Sequence, residues 1–299
     1  AELKRLGRES DERIEVVHAE EAVAMHEPAS TALRKKRNSS IAVCADLVKS
    51  GRAQALASAG HTGASVASTV VKWRCLPGIE RPGIATVLPA PSGPFVLLDA
   101  GANVDAKPRH LLHYAVMGDA YAKDILGIES PRVGLLSVGD EEGKGNELTK
   151  GAYELISGAP HVNFVGNVEG NELFSGQVDV VVCDGFVGNV VLKCSESLAK
   201  VLTGLLKEKI LANPVRKAGA YLCRGALREL RDVSDYKESG GAPLLGVNGI
   251  CIIGHGSSCE TAIKNVVRVS AEFVEHHVNQ HIVDRIAALN GPDKSDASA

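Results

Sequence analysis

The sequence predicts an α/β protein built on a mostly parallel, doubly wound sheet. Five short apolar runs each end in a glycine-rich turn, and a segment with helical periodicity follows each turn. Strands buried on both faces read as continuous apolar runs, and a regular alternation of strand, turn and helix is typical of this fold class. The five runs are Ala53–Ser58, Phe95–Leu98, Val133–Val138, Val178–Cys183 and Ile250–Ile253.

The composition narrows the functional class. The chain has 299 residues, 44% of them hydrophobic, and 33 Lys+Arg balance 36 Asp+Glu, so the basic excess typical of a nucleic-acid binder is missing. The seven cysteines form no C-x-x-C pair, which favours small buried residues in a reducing compartment over disulfides or zinc. Neither a membrane-spanning run nor a signal peptide is evident, so we expect a cytoplasmic protein.

We expect a single α/β domain over residues 1–290. Residues 190–231 have a nearly unbroken helical pattern, interrupted at Asn213-Pro214, and proline is well suited to the first position of a new helix. We therefore predict a protruding helical hairpin over about 190–245, with arms of about Val190–Leu211 and Pro214–Leu230. The polar tail over residues 291–299 is predicted to be disordered.

The turns that follow the five runs are unusually polar. Ligands bind beyond the carboxyl ends of strands in open α/β sheets, and helix N-termini there attract phosphate. Taken singly, each turn could merely end a strand and cap a helix; taken together, the five predict a site at one edge of the sheet. Their polar side chains are His61 and Thr62; Asn103, Asp105 and Lys107; Lys144, Asn146 and Glu147; Asp184 and Asn189; His255, Ser257 and Ser258.

Familiar catalytic motifs do not fit these turns. Gly143-Lys144-Gly145-Asn146 resembles the end of a P-loop, but Gly145 stands where Ser or Thr is required, and Leu148 breaks a dinucleotide-binding pattern. No H-E-x-x-H motif or clustered Cys/His ligand set occurs, so we expect no metal, and we expect no cofactor either. No G-x-S-x-G nucleophile elbow occurs. If the chain transfers acyl groups, the nucleophile should come from a substrate.

A basic run precedes the helical segment Ile41–Ser50. It could be an ordinary solvated charge cluster or a docking patch for an acidic partner. The run consists of Arg34, Lys35, Lys36 and Arg37.

Long stretches around these turns closely resemble the bacterial phosphate acyltransferases of phospholipid synthesis, also called acyl-[acyl-carrier-protein]–phosphate transacylases. The resemblance runs from about residue 12 to about 285. The stretches that carry it are Leu97–Pro108, Val138–Leu148, Phe164–Gly170 and Val181–Lys193, together with Arg34–Ser40 and His255–Ser258.

The resemblance implies a fold similar to phosphotransacetylases and isocitrate-dehydrogenase-like enzymes. It implies transfer of a fatty acyl group from acyl-[acyl-carrier-protein] (acyl-ACP) to inorganic phosphate, and delivery of the acyl phosphate to a membrane glycerol-3-phosphate acyltransferase. It also implies a homodimer that sits peripherally on the membrane, with the hairpin contributing to both contacts. The apolar candidates near the hairpin tip are Leu211, Val215, Tyr221 and Leu222, and ordinary helix packing would explain them equally well.

The chain departs from the family pattern at three places. The family's opening strand is absent, so we expect that residues upstream of Ala1 are missing. His61 stands where the family usually has Asn, and Ile253 stands where many members have Lys. Each change puts the role of that position in doubt.

The predicted mechanism needs positioning and charge stabilisation more than a strong base, because phosphate is already nucleophilic. We expect Lys144 to bind phosphate, Asn189 to donate to the thioester carbonyl, and His255 to bind phosphate or protonate the leaving thiolate. Lys193 is a second candidate, and Arg34–Arg37 would meet the acidic carrier protein. The residues predicted to help hold phosphate are Thr62, Gly63, Asn103, Lys107, Asn146, Asp184, Gly185, Gly188 and Ser257.

Three other functions fit the sequence less well. A phosphotransacetylase acting on short-chain acyl-CoA would share the fold and the reaction type. A non-catalytic, membrane-associated scaffold would keep dimerisation and lipid binding without binding phosphate. A metal-dependent decarboxylating dehydrogenase would need clustered Asp ligands, and the acidic residues here are dispersed.

Overall fold

The structure, a computed structural model, describes residues 2–234, 240–256 and 258–290. Within these ranges the strands are β1 Ala55–Ser58, β2 Gly83–Leu88, β3 Phe95–Leu98, β4 Arg132–Leu136, β5 Asn163–Val168, β6 Val180–Val182, β7 Ala242–Leu245 and β8 Ile250–Ile253. The helices are α1 Glu2–Arg5, α2 Ala29–Lys35, α3 Ser40–Lys49, α4 Thr62–Trp73, α5 Pro108–Asp124, α6 Glu147–Ser157, α7 Gly185–Leu211, α8 Pro214–Leu222, α9 Arg224–Ser234, α10 Glu260–Glu275 and α11 Val278–Asn290.

The strands form one mixed sheet in the order β1-β8-β7-β2-β3-β6-β4-β5. The pairs β1·β8, β3·β6, β6·β4 and β4·β5 are parallel. The pairs β2·β3, β2·β7 and β7·β8 are antiparallel. The prediction of a mostly parallel α/β sheet is confirmed. No strand was predicted at β2, β5 or β7. Each of these leads into the next strand of the chain and not into a helix, so the pattern of apolar run, glycine turn and helix does not reveal it.

The core is centred on α5, which begins with Pro108 at its first position and is buried along most of its length. Tyr114, Met117 and Tyr121 are fully buried in it and pack with residues of β3, β4 and β6. Contacts with α6 and α11 cover its other sides. This packing holds the carboxyl ends of β3 and β6, and so the turns that follow them, in fixed positions.

The helices predicted for the hairpin segment are present, with different boundaries. Asn213 caps α8 by accepting a hydrogen bond from the Arg216 N–H at 2.8 Å, and Pro214 begins that helix as expected. The second arm is divided at Cys223 into α8 and α9. The predicted hairpin range ends inside β7, because Ala242–Leu245 pairs with the sheet. The tail predicted to be disordered, residues 291–299, lies outside the described residues.

The expectation that the cysteines are mainly buried was wrong. Cys183 and Cys251 are buried, whereas Cys44, Cys194, Cys223 and Cys259 are exposed. The exposed ones lie on helix surfaces or at a helix end, where an apolar neighbourhood in sequence does not imply burial. Among the described helices, none has the length and apolar character needed to cross a bilayer.

Candidate functional site

A cavity of about 330 Å³ lies beside β2, between the two parallel groups of strands. Its volume is within the range of small-molecule sites, and its lining is mainly aliphatic. The apolar or glycine positions in the lining are Ile84, Val87, Leu88, Ala100, Gly101, Leu192, Gly241, Ala242, Ile253, Gly254, Ala262 and Val266. The polar ones are Thr62, Thr86, Asn189, Lys193, Glu196, His255 and Ser258.

Asp99 organises the turn after β3. Its buried carboxylate accepts hydrogen bonds from the backbone N–H groups of Ile84 at 2.9 Å, Gly101 at 3.0 Å, Ala102 at 2.9 Å and Asn103 at 2.7 Å. Burial raises the pKa of Asp99, and these four donors oppose that rise by stabilising the charged form. The carboxylate therefore ties the turn to β2 and fixes Gly101, which has a φ of 135°, in the cavity wall.

Asp99 was not among the site residues predicted from the sequence. A signal was present, because an Asp at the end of a strand often accepts hydrogen bonds from backbone N–H groups a few residues further along the chain. The predicted phosphate ligand Asn103 takes part in the same network. Its side-chain amide donates to Tyr114 Oη at 2.8 Å and also to the backbone oxygen of Pro82. Asn103 does not line the cavity, and its contact with phosphate stays a prediction.

The start of α7 brings Asn189 to the cavity. Asp184 caps the helix by accepting from the N–H groups of Phe186 at 2.9 Å and Val187 at 3.0 Å. A Cβ atom on Gly188 would lie only 1.9 Å from the backbone oxygen of Asp99, so only glycine permits this approach. Asn189 packs beside Gly101 as a result and lines the cavity. Asp184, Gly185 and Gly188 thus have structural roles whether or not they also contact phosphate.

The turns after β1 and β8 supply the opposite wall. His61 caps α4 by accepting from the Ala64 N–H at 3.1 Å, while its Nε2 lies 2.8 Å from the Glu27 backbone oxygen. His61 can therefore replace the family's Asn as a helix cap. Thr62 lines the cavity, and the predicted phosphate residue Gly63 packs beside Ala29 of α2.

Two polar residues of the turn after β8 reach the cavity. His255 and Ser258 both line it. The predicted phosphate residue Ser257 lies outside the described residues.

The turn after β4 contributes no residue to the lining of this cavity. Lys144 is exposed and lies 3.8 Å from Glu141, and Asn146 caps α6 by accepting from the Thr149 N–H at 2.9 Å. Lys107, at the start of α5, is also outside the lining. Four of the five polar turns therefore meet at the cavity. The turn after β4 does not, because β6 and β3 separate β4 from β2 in the sheet.

A lysine that ranked second in the sequence analysis does line the cavity. Lys193 follows Asn189 by one helical turn and forms a 3.0 Å ion pair with Glu196. Among the described residues in the lining, it is the one lysine or arginine. The sequence shows the spacing of these residues on α7, but it does not show which helix face the cavity adjoins.

The basic run lies at the end of α2 and just beyond it, and α2 packs against α4, whose first residue lines the cavity. Arg34, Lys35 and Arg37 are exposed. Lys36 is not equally available, since its Nζ bonds Glu27 Oε1 and the Ala22 backbone oxygen at 2.6 Å each. The docking patch predicted from four residues is therefore reduced to three exposed cations.

Within the described ranges, no cluster of three or more His, Cys, Asp or Glu side chains could hold a metal ion.

A family model described as "Fatty acid synthesis protein" matches residues 1–281. A phosphate acyltransferase from Nitratidesulfovibrio vulgaris (strain DP4) is 51% identical over 287 residues, covering 96% of this chain and 83% of that protein. A phosphate acyltransferase from Desulfitobacterium hafniense (strain DSM 10664 / DCB-2) is 56% identical over 264 residues, covering 88% of this chain and 79% of that protein.

Two solved structures share the fold at low sequence identity. A phosphotransacetylase from Streptococcus pyogenes matches with a TM-score of 0.56 and 20% identity, covering 82% of this chain and 70% of that one. A phosphotransacetylase from Staphylococcus aureus matches with a TM-score of 0.55 and 15% identity, covering 96% and 82%. At these identities the likeness concerns the fold alone, and it confirms the predicted phosphotransacetylase-like architecture.

Proposed function

We propose a reaction for this cavity from one premise: the chain belongs to the fatty acid synthesis protein family, and its relatives there are phosphate acyltransferases. The enzyme transfers a fatty acyl group from acyl-ACP to inorganic phosphate and releases acyl phosphate and free carrier protein. The product serves membrane phospholipid synthesis. The reaction requires no metal and no cofactor.

The observation that carries this proposal is the mixed lining of the cavity. Its aliphatic part suits an alkyl chain, and its polar part includes Thr62, the first residue of α4. Free N–H groups and the helix dipole give such a helix start a partial positive charge, which favours an anion. One cavity can therefore hold both an acyl chain and phosphate.

In the reaction, a phosphate oxygen attacks the thioester carbonyl carbon, a C–O bond forms, and the C–S bond breaks. The electron pair of that bond leaves with sulfur, and a proton then makes the free thiol. The Asn189 amide donates to the carbonyl oxygen as negative charge develops there. His255 binds phosphate or supplies the proton to sulfur. Holding the reactants in register lowers the barrier, and stabilising the developing oxyanion lowers it further.

Two lysines are candidates for neutralising phosphate charge. Lys144 remains the first, since it is exposed on the turn after β4 and only weakly paired. Lys193 has the support of lining the cavity itself. Further residues help to position phosphate, directly or through the backbone. They are Thr62, Gly63, Asn103, Lys107, Asn146, Asp184, Gly185, Gly188 and Ser257.

The reaction can be tested directly. Purified chain, palmitoyl-ACP and phosphate should give acyl phosphate, trapped as the hydroxamate, and omission of either substrate should abolish the product. Short-chain acyl-CoA should be a poorer donor. Product from acetyl-CoA at a higher kcat/KM than from palmitoyl-ACP would instead support a phosphotransacetylase.

The two lysines can be separated by single substitutions. Lys144→Ala and Lys193→Ala should each be compared with Lys150→Ala, a lysine on α6 outside the cavity lining. Replacement of the lysine that binds phosphate should raise the KM for phosphate. Full turnover by Lys144→Ala would remove that residue from the mechanism.

The exposed cations Arg34, Lys35 and Arg37 form the docking surface for the acidic carrier protein. Charge attraction across such a surface weakens with ionic strength, so turnover with acyl-ACP should fall as salt rises. Arg34→Glu with Lys35→Glu should raise the KM for acyl-ACP and leave turnover of a palmitoyl-CoA surrogate unchanged. Salt-independent turnover would contradict this assignment.

The enzyme is a homodimer, and the exposed face of α7 contributes to the dimer. Leu198, Leu202 and Leu205 are 60%, 57% and 47% exposed, and their spacing puts them on one side of the helix. Leu202→Glu with Leu205→Glu should yield a monomer in light scattering. Lys200→Glu, on the opposite side of α7, serves as the control and should remain dimeric.

The enzyme is cytoplasmic and binds the membrane peripherally through the hairpin tip, where acyl phosphate passes to a membrane glycerol-3-phosphate acyltransferase. Val215 and Leu222 are 81% and 84% exposed at this tip, beside basic residues such as Arg216 and Lys217. Val215→Asp with Leu222→Asp should abolish sedimentation with anionic lipid vesicles while dimerisation and turnover persist. Unchanged sedimentation would refute the tip as the contact.

A further inference from the structure

His61, in the turn after β1, makes a hydrogen bond with each of its two ring nitrogens. Nδ1 accepts from the Ala64 N–H at 3.1 Å, and Nε2 lies 2.8 Å from the Glu27 backbone oxygen. Because a carbonyl oxygen can only accept, the proton of the ring is on Nε2, and Nδ1 is the acceptor that caps α4. One side chain therefore bonds both the first turn of α4 and a segment much earlier in the chain.

The segment that Nε2 reaches is closed on itself. The docking loop, residues 21–39, contains α2 and the three exposed cations that are proposed to meet the carrier protein. The Glu21 backbone oxygen accepts from the Ser40 N–H at 3.1 Å, which brings the two ends of the loop together. Inside the loop, Lys36 Nζ donates to Glu27 Oε1 at 2.6 Å. The loop is thus held together internally, and the Glu27 carbonyl group connects it to α4.

The docking loop also packs against the first turn of α4. A Cβ atom on Gly63 would lie 3.3 Å from the Cβ of Ala29, which is in α2. The preceding residue, Thr62, lines the cavity. Apolar contact brings α2 close to α4 but is non-directional, whereas a hydrogen bond has a preferred geometry. The bond from His61 to Glu27 therefore fixes the position of the docking loop relative to the cavity.

We propose that His61 is a positioning residue, which holds the docking loop so that the acyl group of a bound carrier protein is presented to the cavity. This inference rests on the proposed function and on the docking surface assigned there. A loop that is already held in its binding position does not have to be ordered when the partner docks, so less of the binding free energy is lost. The Glu27 carbonyl group lies outside the cavity lining, so its bond should affect the carrier protein and not phosphate.

Two substitutions separate the two bonds of His61. His61→Asn keeps an acceptor near the position of Nδ1 and can cap α4, but its side chain is too short to reach the Glu27 oxygen. His61→Gln places its amide nitrogen near the position of Nε2, so it keeps the bond to Glu27 and loses the cap. Asn is also the residue that the family usually has at this position, so we expect His61→Asn to fold.

The two variants should have opposite kinetic effects. His61→Asn should raise the KM for palmitoyl-ACP about two- to tenfold, which corresponds to the loss of one neutral hydrogen bond. Its KM for phosphate and its kcat/KM with the palmitoyl-CoA surrogate should be unchanged. His61→Gln should keep a KM for palmitoyl-ACP near that of the wild type and raise the KM for phosphate, because the first turn of α4 is no longer capped.

His281→Asn is the matched control. His281 also joins two segments, since its Nδ1 lies 2.9 Å from Asp124 Oδ2, and it is outside the cavity lining. Its replacement should change none of these kinetic constants.

Hydrogen exchange tests the bond without relying on activity. Backbone N–H groups of residues 22–38 should exchange faster in His61→Asn than in the wild type, because the loop opens more readily when it is not held to α4. In His61→Gln their exchange should stay close to that of the wild type.

Three results would overturn the inference. Wild-type exchange in His61→Asn would show that the bond does not hold the loop, and faster exchange with an unchanged KM for palmitoyl-ACP would show that the held loop does not serve docking. An equal rise in the KM for the palmitoyl-CoA surrogate would place the effect in the cavity. A wild-type chain that makes no acyl phosphate would defeat the proposed function instead, and the exchange of the loop could still be measured on it.

Discussion

Replacing Asp99 by Asn should destabilise the protein strongly, although the two side chains have nearly the same shape. In the native turn one carboxylate oxygen accepts from Ile84, Gly101 and Ala102, and the other accepts from Asn103. An amide retains a single acceptor oxygen. Its nitrogen would face at least one backbone N–H, donor against donor.

The magnitude follows from these four bonds. Hydrogen bonds to a charged group contribute about 1.5–3 kcal/mol, against about 0.5–1.5 kcal/mol for neutral pairs, and a buried donor left unpaired costs about 1–3 kcal/mol. Neutralisation also removes the cost of burying a charge, which offsets part of this loss. We expect Asp99→Asn to lower the free energy of unfolding by about 2–4 kcal/mol, a large fraction of the stability of a typical domain.

Urea unfolding can be followed by the fluorescence of Trp73, the single tryptophan, which is buried and donates to the Ala45 backbone oxygen at 2.8 Å. Asp46→Asn is the matched control, because Asp46 is exposed and paired with Lys72, and a surface pair of this kind contributes about 0–1 kcal/mol. At urea concentrations where it stays folded, Asp99→Asn should also show reduced kcat/KM, because the Gly101 turn is no longer fixed. If Asp99→Asn and Asp46→Asn unfold at the same urea concentration, the reasoning about the buried carboxylate is refuted.

Gly188→Ala should lower the free energy of unfolding by about 1–3 kcal/mol and lower kcat, because a Cβ there would lie 1.9 Å from the Asp99 backbone oxygen. Gly204→Ala, in open space on the same helix, is the control and should leave stability unchanged or raise it. Equal urea midpoints for the two variants would contradict this prediction. Burial lowers the pKa of His113 from 6.5 to about 4, so its contribution to stability is fully present above pH 6.5 and is lost as pH falls through about 4. His113→Gln should flatten the decline of urea stability over that window, and an unchanged decline would rule His113 out as its source. Val266→Phe narrows the cavity and should shift donor preference towards shorter acyl-ACP, whereas the exposed neighbour Val267→Phe should keep the wild-type chain-length profile; matching profiles would place the alkyl chain elsewhere.

The sequence determined the repeating units of this fold and its family. Phe95–Leu98 and Ile250–Ile253 were identified with the same boundaries that the structure gives, because a buried strand ending in a glycine turn is a local pattern. The start of α8 at Pro214 was also local, since the fixed φ of proline and the Asn213 cap act within a few residues. The long stretches around the polar turns were enough to identify the family resemblance.

Only the tertiary structure decided which of these turns meet. The antiparallel strands β2 and β7 lie between the two parallel groups, and their pairing joins residues far apart in the chain. That arrangement brings Thr62 and His255 to the same cavity as Asn189, leaves Lys144 outside its lining, and includes Lys193. Asp99 likewise acquires its significance from burial and from the groups around it. Local sequence specifies backbone conformation, whereas the surroundings of a side chain depend on contacts between distant segments, and that is why the site needed the folded chain to define it.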